Sequence, residues 1–300
     1  MYSNSEAGSD GLLAELEDAG RKFMNGPDNT IELSTGVTTP CFDMPIMGVA
    51  AGDDPIWRAY KINIIGPYHF TPLEAFQMAY PDETTAAAQL RVLSWVLPQT
   101  EDTRKEQRKQ TDMTGERWAR SRSIGDGKVN VGMRKHLIAY LQQQGIPAAA
   151  PQLLPQWSRL CAPEGNEYSS NWSERHAAHA AGLGTFGLCD GLITPVGKAH
   201  RVGSIVLKHP LPVTPRPYRS YNEYCLFFTS GKCKACIKRC PVGAVSEKGH
   251  DKLLCYKYLW EKSHPYVKAA WHFNGYGCGL CQVGVPCEFR IPHAPDPASR

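Results

Sequence analysis

The sequence predicts an α+β protein built from two units in succession. Strand-like and helix-like segments alternate through its first two thirds, a proline-rich segment follows them, and eight of the 11 cysteines lie beyond that segment. The chain has 300 residues and a formal net charge of +4. Such a small charge gives no support of its own to a nucleic-acid or membrane partner.

The first unit is predicted over residues 11 to 215, after a disordered tail over residues 1 to 10. LLAELEDAGRKFM has the spacing of an amphipathic helix, with one face formed by Leu12, Leu13, Leu16 and Phe23. RVLSWVLP is typical of a strand, whereas GMRKHLIAYLQQQGIP has helical periodicity and a terminating glycine. DGLITP and GSIVLKHP are short apolar runs that predict two further strands.

A glycine motif, G-x-G-x-x-G, is formed by Gly182, Gly184 and Gly187. In nucleotide-binding folds this motif follows a strand and opens a helix, because the phosphate lies on the helix N-terminus. Here the glycines close the predicted helix of NWSERHAAHA and lead into a strand. A helix terminator with close backbone packing is therefore the simpler interpretation, and the three glycines remain candidates for contact with another cofactor.

The second unit is predicted over residues 216 to 292, followed by a short tail over residues 293 to 300. Its C-x-x-C-x-x-x-C-P string is typical of a module with two four-iron clusters, in which the cysteine before proline binds the second cluster. Two ligand sets follow: Cys240, Cys255, Cys278 and Cys281 for one cluster, and Cys225, Cys233, Cys236 and Cys287 for the other. Two positions depart from the usual pattern, because Ser230 stands where the first cysteine is expected and Cys287 follows a proline.

Other interpretations of these residues stay open. Four of the eight cysteines could bind zinc instead. The isolated cysteines Cys41, Cys161 and Cys189 are predicted to be buried free thiols, with Cys189 the one best placed to face a ligand. His176 and His179 lie on one helix face, where packing is favoured over metal binding. A basic patch that includes Lys198, His200 and Arg201 could bind a cofactor phosphate or an anionic substrate, or could simply be a solvated face.

Several of these motifs together resemble the superfamily of epoxyqueuosine reductases and reductive dehalogenases. They are the pair Glu174-Arg175, AAGLGTFG, GLITP, CIKRCPVGAV and CGLCQ, which span residues 165 to 290. The resemblance implies a nitroreductase-like α/β domain that binds cobalamin, and a ferredoxin-like domain with two 4Fe-4S clusters. An acidic residue six positions before the Glu-Arg pair donates a proton in epoxyqueuosine reductases, and dehalogenases have a tyrosine in that region. Tyr168 occupies that position here and is the predicted catalytic residue.

The expected function is a cytoplasmic iron-sulfur reductase with cobalamin that takes electrons from an external low-potential donor and reduces a small organic substrate. The sequence shows no secretion signal and no apolar run of the ~18 residues that span a membrane. The helical-repeat extension that helps epoxyqueuosine reductases to hold tRNA is missing, so tRNA is expected to be an unlikely partner. The alternatives are a non-catalytic electron carrier or corrinoid-reducing activase, and a flavin-linked reductase.

Overall fold

The computed structural model of the chain describes residues 5–160 and 168–293. Cys161, most of the predicted C-terminal tail and the first four residues therefore lie outside the described part. The strands are β1 (Thr30–Glu32), β2 (Thr38–Pro40), β3 (Ile46–Ala51), β4 (Arg91–Pro98), β5 (Ala148–Ala149), β6 (Arg159–Leu160), β7 (Ser169–Ser170), β8 (Thr185–Phe186), β9 (Leu192–Ile193), β10 (His200–Leu207), β11 (Val245–Ser246) and β12 (Gly249–His250).

The helices include every helix that the sequence predicts. They are α1 (Ser5–Met24), α2 (Pro55–Ala59), α3 (Pro72–Ala79), α4 (Glu101–Arg108), α5 (Glu116–Arg120), α6 (Val131–Gln143), α7 (Glu174–Ala180), α8 (Leu226–Ser230), α9 (Ala235–Lys238), α10 (Lys252–Tyr258) and α11 (His264–Trp271). Wider π-helical turns cover Tyr60–Ile64, Ser121–Asn130 and Leu259–Ser263. Helix α1 begins at Ser5, six residues before the predicted start of the first unit.

A four-stranded antiparallel sheet in the order β3-β4-β10-β5 forms the centre of the first unit. Successive side chains of β4 point to opposite faces, and both faces are covered. Leu93 and Trp95 pack with residues of α1 and α6, whereas Val92 and Val96 pack with residues of α3 and α7. The result is three layers, with helices on both sides of the sheet, and the predicted strand RVLSWVLP is confirmed as β4.

Local sequence explains where several elements begin and end. Thr71 and Glu74 form a capping box at the start of α3. The carboxylate of Asp251 accepts a hydrogen bond from the Leu254 amide and so caps α10. Gly182, with φ +77°, follows α7 in the left-handed region, as the glycine terminator predicts.

The second unit packs directly against α4 and α5. The Arg239 guanidinium donates to the carbonyl oxygens of Gln107 and Gln110, at 3.3 and 2.9 Å. The Gln107 amide nitrogen in turn donates to the Cys278 carbonyl at 2.6 Å. Glu288, only 2% exposed, binds Arg108 through two nitrogens at 2.6 and 2.8 Å. Main-chain and charged contacts therefore hold the cysteine-bearing loops to the first unit.

The α+β class is confirmed by this mixture of a central sheet and surrounding helices. Within the described ranges, no helix combines the length and the apolar character that crossing a membrane requires.

Candidate functional site

A cleft of about 460 Å³ lies where the two units meet, and we call it the main cleft. The first unit contributes residues from β7, α7 and the loop after β8, and the second contributes residues around β12 and α10. Its basic side chains are Arg122, Arg159, Arg175 and Lys252. Its aromatic side chains are Tyr168, Phe186, Tyr221 and Tyr256. The cleft is therefore suited to an anionic ligand that also has planar groups.

Tyr168, the predicted catalytic residue, lies in this cleft. Its ring stacks on Tyr256 of α10, with the ring centroids 4.4 Å apart. Cys255, a predicted cluster ligand, immediately precedes Tyr256 and lines the same cleft. The predicted proton donor and a predicted ligand of an electron carrier are thus brought to one cavity, although they are 87 positions apart in the chain.

A smaller cavity of about 210 Å³, here the polar pocket, adjoins the main cleft and shares Arg122, Arg159 and Arg175 with it. His200 and Arg201 line the polar pocket, as does Gln152. Within the described residues, His200 Nδ1, Arg201 Nε and Gln152 Oε1 are buried without a hydrogen-bond partner. Burial, and then the charge of Arg122, lower the pKa of Arg201 to about 9. Such unpaired polar atoms favour a bound polar ligand.

A buried ion pair supports the floor of the polar pocket. Arg134 of α6, 1% exposed, donates to one oxygen of Glu174 at 3.1 Å. Ser204 of β10 donates to the other oxygen at 2.6 Å. Burial raises the pKa of Glu174, while Arg134 and Ser204 act in the opposite direction by stabilising the carboxylate. Glu174, the first residue of the Glu-Arg pair, therefore joins α6, α7 and the sheet.

The two histidines of α7 belong to an aromatic cluster behind the main cleft. His176 lines the cleft, and its Nε2 lies 3.0 Å from the Tyr221 hydroxyl. His179 Nδ1 lies 2.6 Å from the hydroxyl of the fully buried Tyr60. Burial, and then the neighbouring His69, hold the pKa of His176 well below its usual range. A neutral imidazole at the cleft wall can exchange hydrogen bonds with a ligand without adding charge.

Four predicted ligands of one cluster line a single small cavity, which we call the cysteine cavity. They are Cys225, Cys233, Cys236 and Cys287. Apolar side chains, among them Leu188, Phe227 and Val285, complete the wall. Cys225 therefore lines the same cavity as the other three members of its predicted set.

The other predicted ligand set, Cys240, Cys255, Cys278 and Cys281, does not line one common cavity among the residues that the structure describes. Burial, and then the nearby thiols of Cys255 and Cys240, raise the pKa of Cys278 to about 12. The Cys281 thiol forms a hydrogen bond with Cys189 and interacts electrostatically with Cys278. No three His, Cys, Asp or Glu side chains in residues 5–160 and 168–293 lie close enough to bind one metal ion.

Lys198 faces the cysteine cavity and not the polar pocket of His200 and Arg201. The residue is 3% exposed, and its ammonium lies 3.2 Å from the Cys189 sulfur. Burial opposes the charged form, yet the surrounding cysteines, with Cys189 foremost, raise the pKa of Lys198 well above its usual value. The three basic residues are neighbours in sequence, but the structure divides them between two sites.

The three motif glycines serve backbone packing. A Cβ on Gly184 would lie 2.2 Å from the Ile193 carbonyl oxygen, and one on Gly182 would lie 2.6 Å from that of Pro215. Gly187 lies in the tight turn between β8 and β9, where its amide donates to the Gly191 carbonyl at 2.8 Å. None of them belongs to the lining of the main cleft or the polar pocket.

Several residues of the site have no distinctive signal in the sequence. Arg122 reaches the cleft from a π-helical turn and Arg159 from the short strand β6, and Tyr221 comes from the proline-rich linker. Only Cys189 had a signal, since it directly follows the glycine motif. Cys41, predicted as a buried free thiol, is fully buried in the core between the sheet and α6.

No family model matches the chain. An epoxyqueuosine reductase of Aliivibrio fischeri is 32% identical over 120 residues, which cover 38% of this chain and 30% of the relative. The match thus spans less than a third of the relative's length.

Solved structures match over more of the chain. An epoxyqueuosine reductase from Bacillus subtilis, with its catalytic loop swung out of the active site, has a TM-score of 0.50 at 15% identity. Another epoxyqueuosine reductase structure, with an epoxyqueuosine-modified tRNA stem loop, has the same TM-score and identity. Each match covers 96% of this chain and 68% of the other. At this identity, the likeness establishes the fold.

The complex with a stem loop corrects one expectation. We expected a small-molecule substrate and no tRNA, because the helical-repeat extension and the acidic donor are missing. That expectation is wrong, since a protein of this fold does bind a tRNA stem loop.

The sequence match and the fold match point to the same enzymes, although the resemblance was first seen in short motifs. The resemblance to epoxyqueuosine reductases is therefore confirmed, by sequence over 120 residues and by fold over most of the chain.

Proposed function

We propose that the chain is an iron-sulfur reductase of the epoxyqueuosine reductase type that acts on a modified nucleoside carried by tRNA. The observation that carries the proposal is that Tyr168 and Cys255 line one cleft. Removal of an epoxide oxygen as water consumes two electrons and two protons. A site for this reaction must therefore bring a proton donor and an electron carrier to the same place, and Tyr168 and Cys255 are the candidates for these roles in this cleft.

The cysteines fit two four-iron clusters. Four sulfurs around one apolar-walled cavity suit a cuboidal cluster, and the second set adjoins it through Cys281. Cys240, Cys255, Cys278 and Cys281 would hold the cluster nearer the cleft, because Cys255 belongs to the cleft wall. Bound there, the clusters would supply single electrons at low potential.

The polar pocket has groups suited to one part of a cobalamin, whose amide side chains and phosphate need both acceptors and cationic donors, and the larger remainder would extend into the main cleft. Gln152 Oε1 offers an acceptor, while Arg201 Nε is a buried donor without a partner in the described part of the chain. Arg122, Arg159 and Arg175 connect this pocket with the main cleft. A bound cobalamin would supply the metal centre that reduces the substrate.

Tyr168 would donate a proton to the oxygen that leaves the substrate. The phenolate that remains is an anion, and the guanidinium groups of Arg122, Arg159 and Arg175 around the cleft stabilise it. The ring of Tyr256 holds Tyr168 against α10 by stacking.

An open groove of about 870 Å³, which we call the α10 groove, extends from the main cleft and shares Asp190, His250, Lys252 and Tyr256 with it. Its aromatic side chains Tyr256 and Trp260 are 38% and 41% exposed. Exposed aromatic rings stack with unpaired bases whatever their sequence. We assign this groove to the nucleotides next to the modified one, and a tRNA substrate also supports the expected cytoplasmic location.

The decisive test of the proton donor is Tyr168→Phe. The assay measures reduction of an epoxyqueuosine-modified tRNA stem loop by the reconstituted protein, with dithionite as electron source. We expect turnover to fall by about 100-fold or more, since general acid catalysis contributes about 10²–10⁴-fold. Iron and sulfide per chain should not change.

Tyr266→Phe is the matched control, because Tyr266 lies on α11 and packs on Trp271 away from the cleft. Its turnover should equal that of the unmodified protein. Unchanged turnover in Tyr168→Phe would remove Tyr168 from the mechanism. No turnover in the parent protein, with about eight irons bound, would refute the proposed substrate.

A further inference from the structure

Lys198 is an ammonium group buried among sulfur atoms. Its ammonium lies 3.2 Å from the Cys189 sulfur, which in turn lies 3.9 Å from the Cys281 carbonyl oxygen. The residue also lines the cysteine cavity together with Cys236 and Cys287, and these two and Cys281 are predicted cluster ligands. Cys236 and Cys287 belong to one predicted ligand set and Cys281 to the other. The lysine side chain therefore lies at the boundary between the two sets.

The backbone fixes this position. A tight turn over Thr194–Gly197 precedes Lys198, with Gly197 at φ +79°. The Lys198 amide donates to the carbonyl oxygens of Cys287 and Glu288, at 2.9 and 3.1 Å. A Cβ on Gly197 would lie 2.2 Å from the Glu288 carbonyl oxygen, so this close approach requires a glycine. The lysine is thus held beside the segment that carries Cys287.

A buried ammonium is costly unless an anion compensates it. The Cys189 sulfur lies 3.2 Å from the ammonium, and cysteines line the cavity that the ammonium faces, so its counter-charge resides on sulfur. A cluster held by four thiolates carries a net negative charge that grows by one when the cluster is reduced. Net charge and hydrogen bonds to sulfur are among the factors that set a cluster's reduction potential.

We propose that Lys198 is the resident counter-charge of the cluster held by Cys225, Cys233, Cys236 and Cys287, and that it raises the reduction potential of that cluster above that of its neighbour. Lys198 is a positioning residue that does not touch the substrate. As a consequence, the cluster farther from the cleft accepts an electron before the cluster nearer to it. This inference rests on the proposed function, because it requires both clusters.

The test is an anaerobic redox titration followed by electron paramagnetic resonance of the reconstituted protein. Lys198→Met keeps the apolar length of the side chain and removes its charge. For the cluster held by Cys225, Cys233, Cys236 and Cys287, we expect the one-electron reduction equilibrium to become at least tenfold less favourable. This corresponds to a fall of 59 mV in its reduction potential. Lys198→Arg, which keeps the charge, should restore most of the difference.

Two further variants separate charge from packing. Cys189→Ala removes the sulfur 3.2 Å from the ammonium but keeps the lysine, so the potential should not fall. Lys208→Met removes a lysine that binds Glu83 on the other side of the first unit, and both potentials should stay unchanged. If Lys198→Met does not retain its iron, Lys198→Gln is titrated in its place.

The possible failures are distinguishable. A parent protein with far fewer than eight irons would overturn the proposed clusters themselves. Eight irons with unchanged potentials in Lys198→Met would overturn the role of Lys198 alone. An equal fall in Cys189→Ala would show that packing around the cluster, and not the lysine charge, sets the potential.

Discussion

Two basic residues that are close together in the sequence face different surroundings in the structure. Lys198 and Arg201 are three positions apart in a basic patch, yet one faces sulfur atoms and the other faces a polar pocket. The sequence could identify both as candidates. The sequence could not show that they face different sites. That difference arises because the Lys198 amide is hydrogen-bonded to the carbonyls of residues 287 and 288, about 90 positions away.

The buried pair of Glu174 and Arg134 leads to a prediction at this scale. Glu174→Gln would leave the Arg134 charge without its partner in a site that is 1% exposed. We expect a loss of about 3 kcal/mol in the free energy of unfolding, since breaking a buried pair costs about 3–5 kcal/mol and the nearby Asp126 compensates part of it. Urea unfolding with an unchanged m-value would measure the loss.

The control for this measurement is the exposed pair of Asp18 and Lys22 on α1. Asp18→Asn should leave the urea midpoint unchanged, because solvent screens this pair. A loss as large as that in Glu174→Gln would show that the effect has nothing to do with burial.

Among the elements, those with a strong period were predictable and those fixed by distant contacts were not. Trp95 and Val96 of β4 lie in two different cores, and the nearly continuous apolar run that predicted this strand is what a strand buried on both faces requires. The glycine motif shows the limit of such prediction. Its order in the chain favours a helix terminator over a nucleotide-binding turn, but only the structure shows that the close approach of the Ile193 carbonyl requires a glycine at position 184.

Helix α10 and the turn after it lead to a prediction about RNA. Trp260→Ala should weaken binding of the modified stem loop by about tenfold, since one stacked base contributes about 1–3 kcal/mol. Trp260→Phe should keep most of the affinity because it keeps an aromatic face. Quenching of intrinsic fluorescence or a filter-binding assay would measure the dissociation constants.

Phe228→Ala provides the comparison, because Phe228 is 48% exposed on α8 and does not line the α10 groove. Its affinity should match that of the parent protein. Equal affinities for Trp260→Ala and the parent would place the RNA elsewhere on the molecule.

For the whole molecule, buried neutral histidines predict sensitivity to acid. Burial, followed by the charge of Lys61, lowers the pKa of the fully buried His69 to about 4. Its Nε2 accepts a hydrogen bond from the Ser173 amide, which protonation would break. Between pH 6.5 and 4 the unfolded chain binds more protons at this residue, so stability is complete above pH 6.5 and is lost as pH falls.

We therefore expect the free energy of unfolding to fall by about 2 kcal/mol from pH 7 to pH 5 because of His69 alone. Denaturant unfolding at the two pH values would measure it, and His69→Gln should remove that part of the difference. His293→Gln, at an exposed position, should leave the pH dependence as it is. A stability that did not change between pH 7 and pH 5 would contradict the prediction.

The attachment of the cysteine loops to α4 bears on how such a protein could have been assembled. The Cys278 carbonyl depends on Gln107, and Arg239 depends on the carbonyls of Gln107 and Gln110. A gene cut in the proline-rich linker would therefore yield two halves that each lack supports supplied by the other. An unrelated domain could not simply replace the second half, because it would have to form the same contacts with α4. The cysteine-bearing half and the main cleft are therefore expected to have been inherited together.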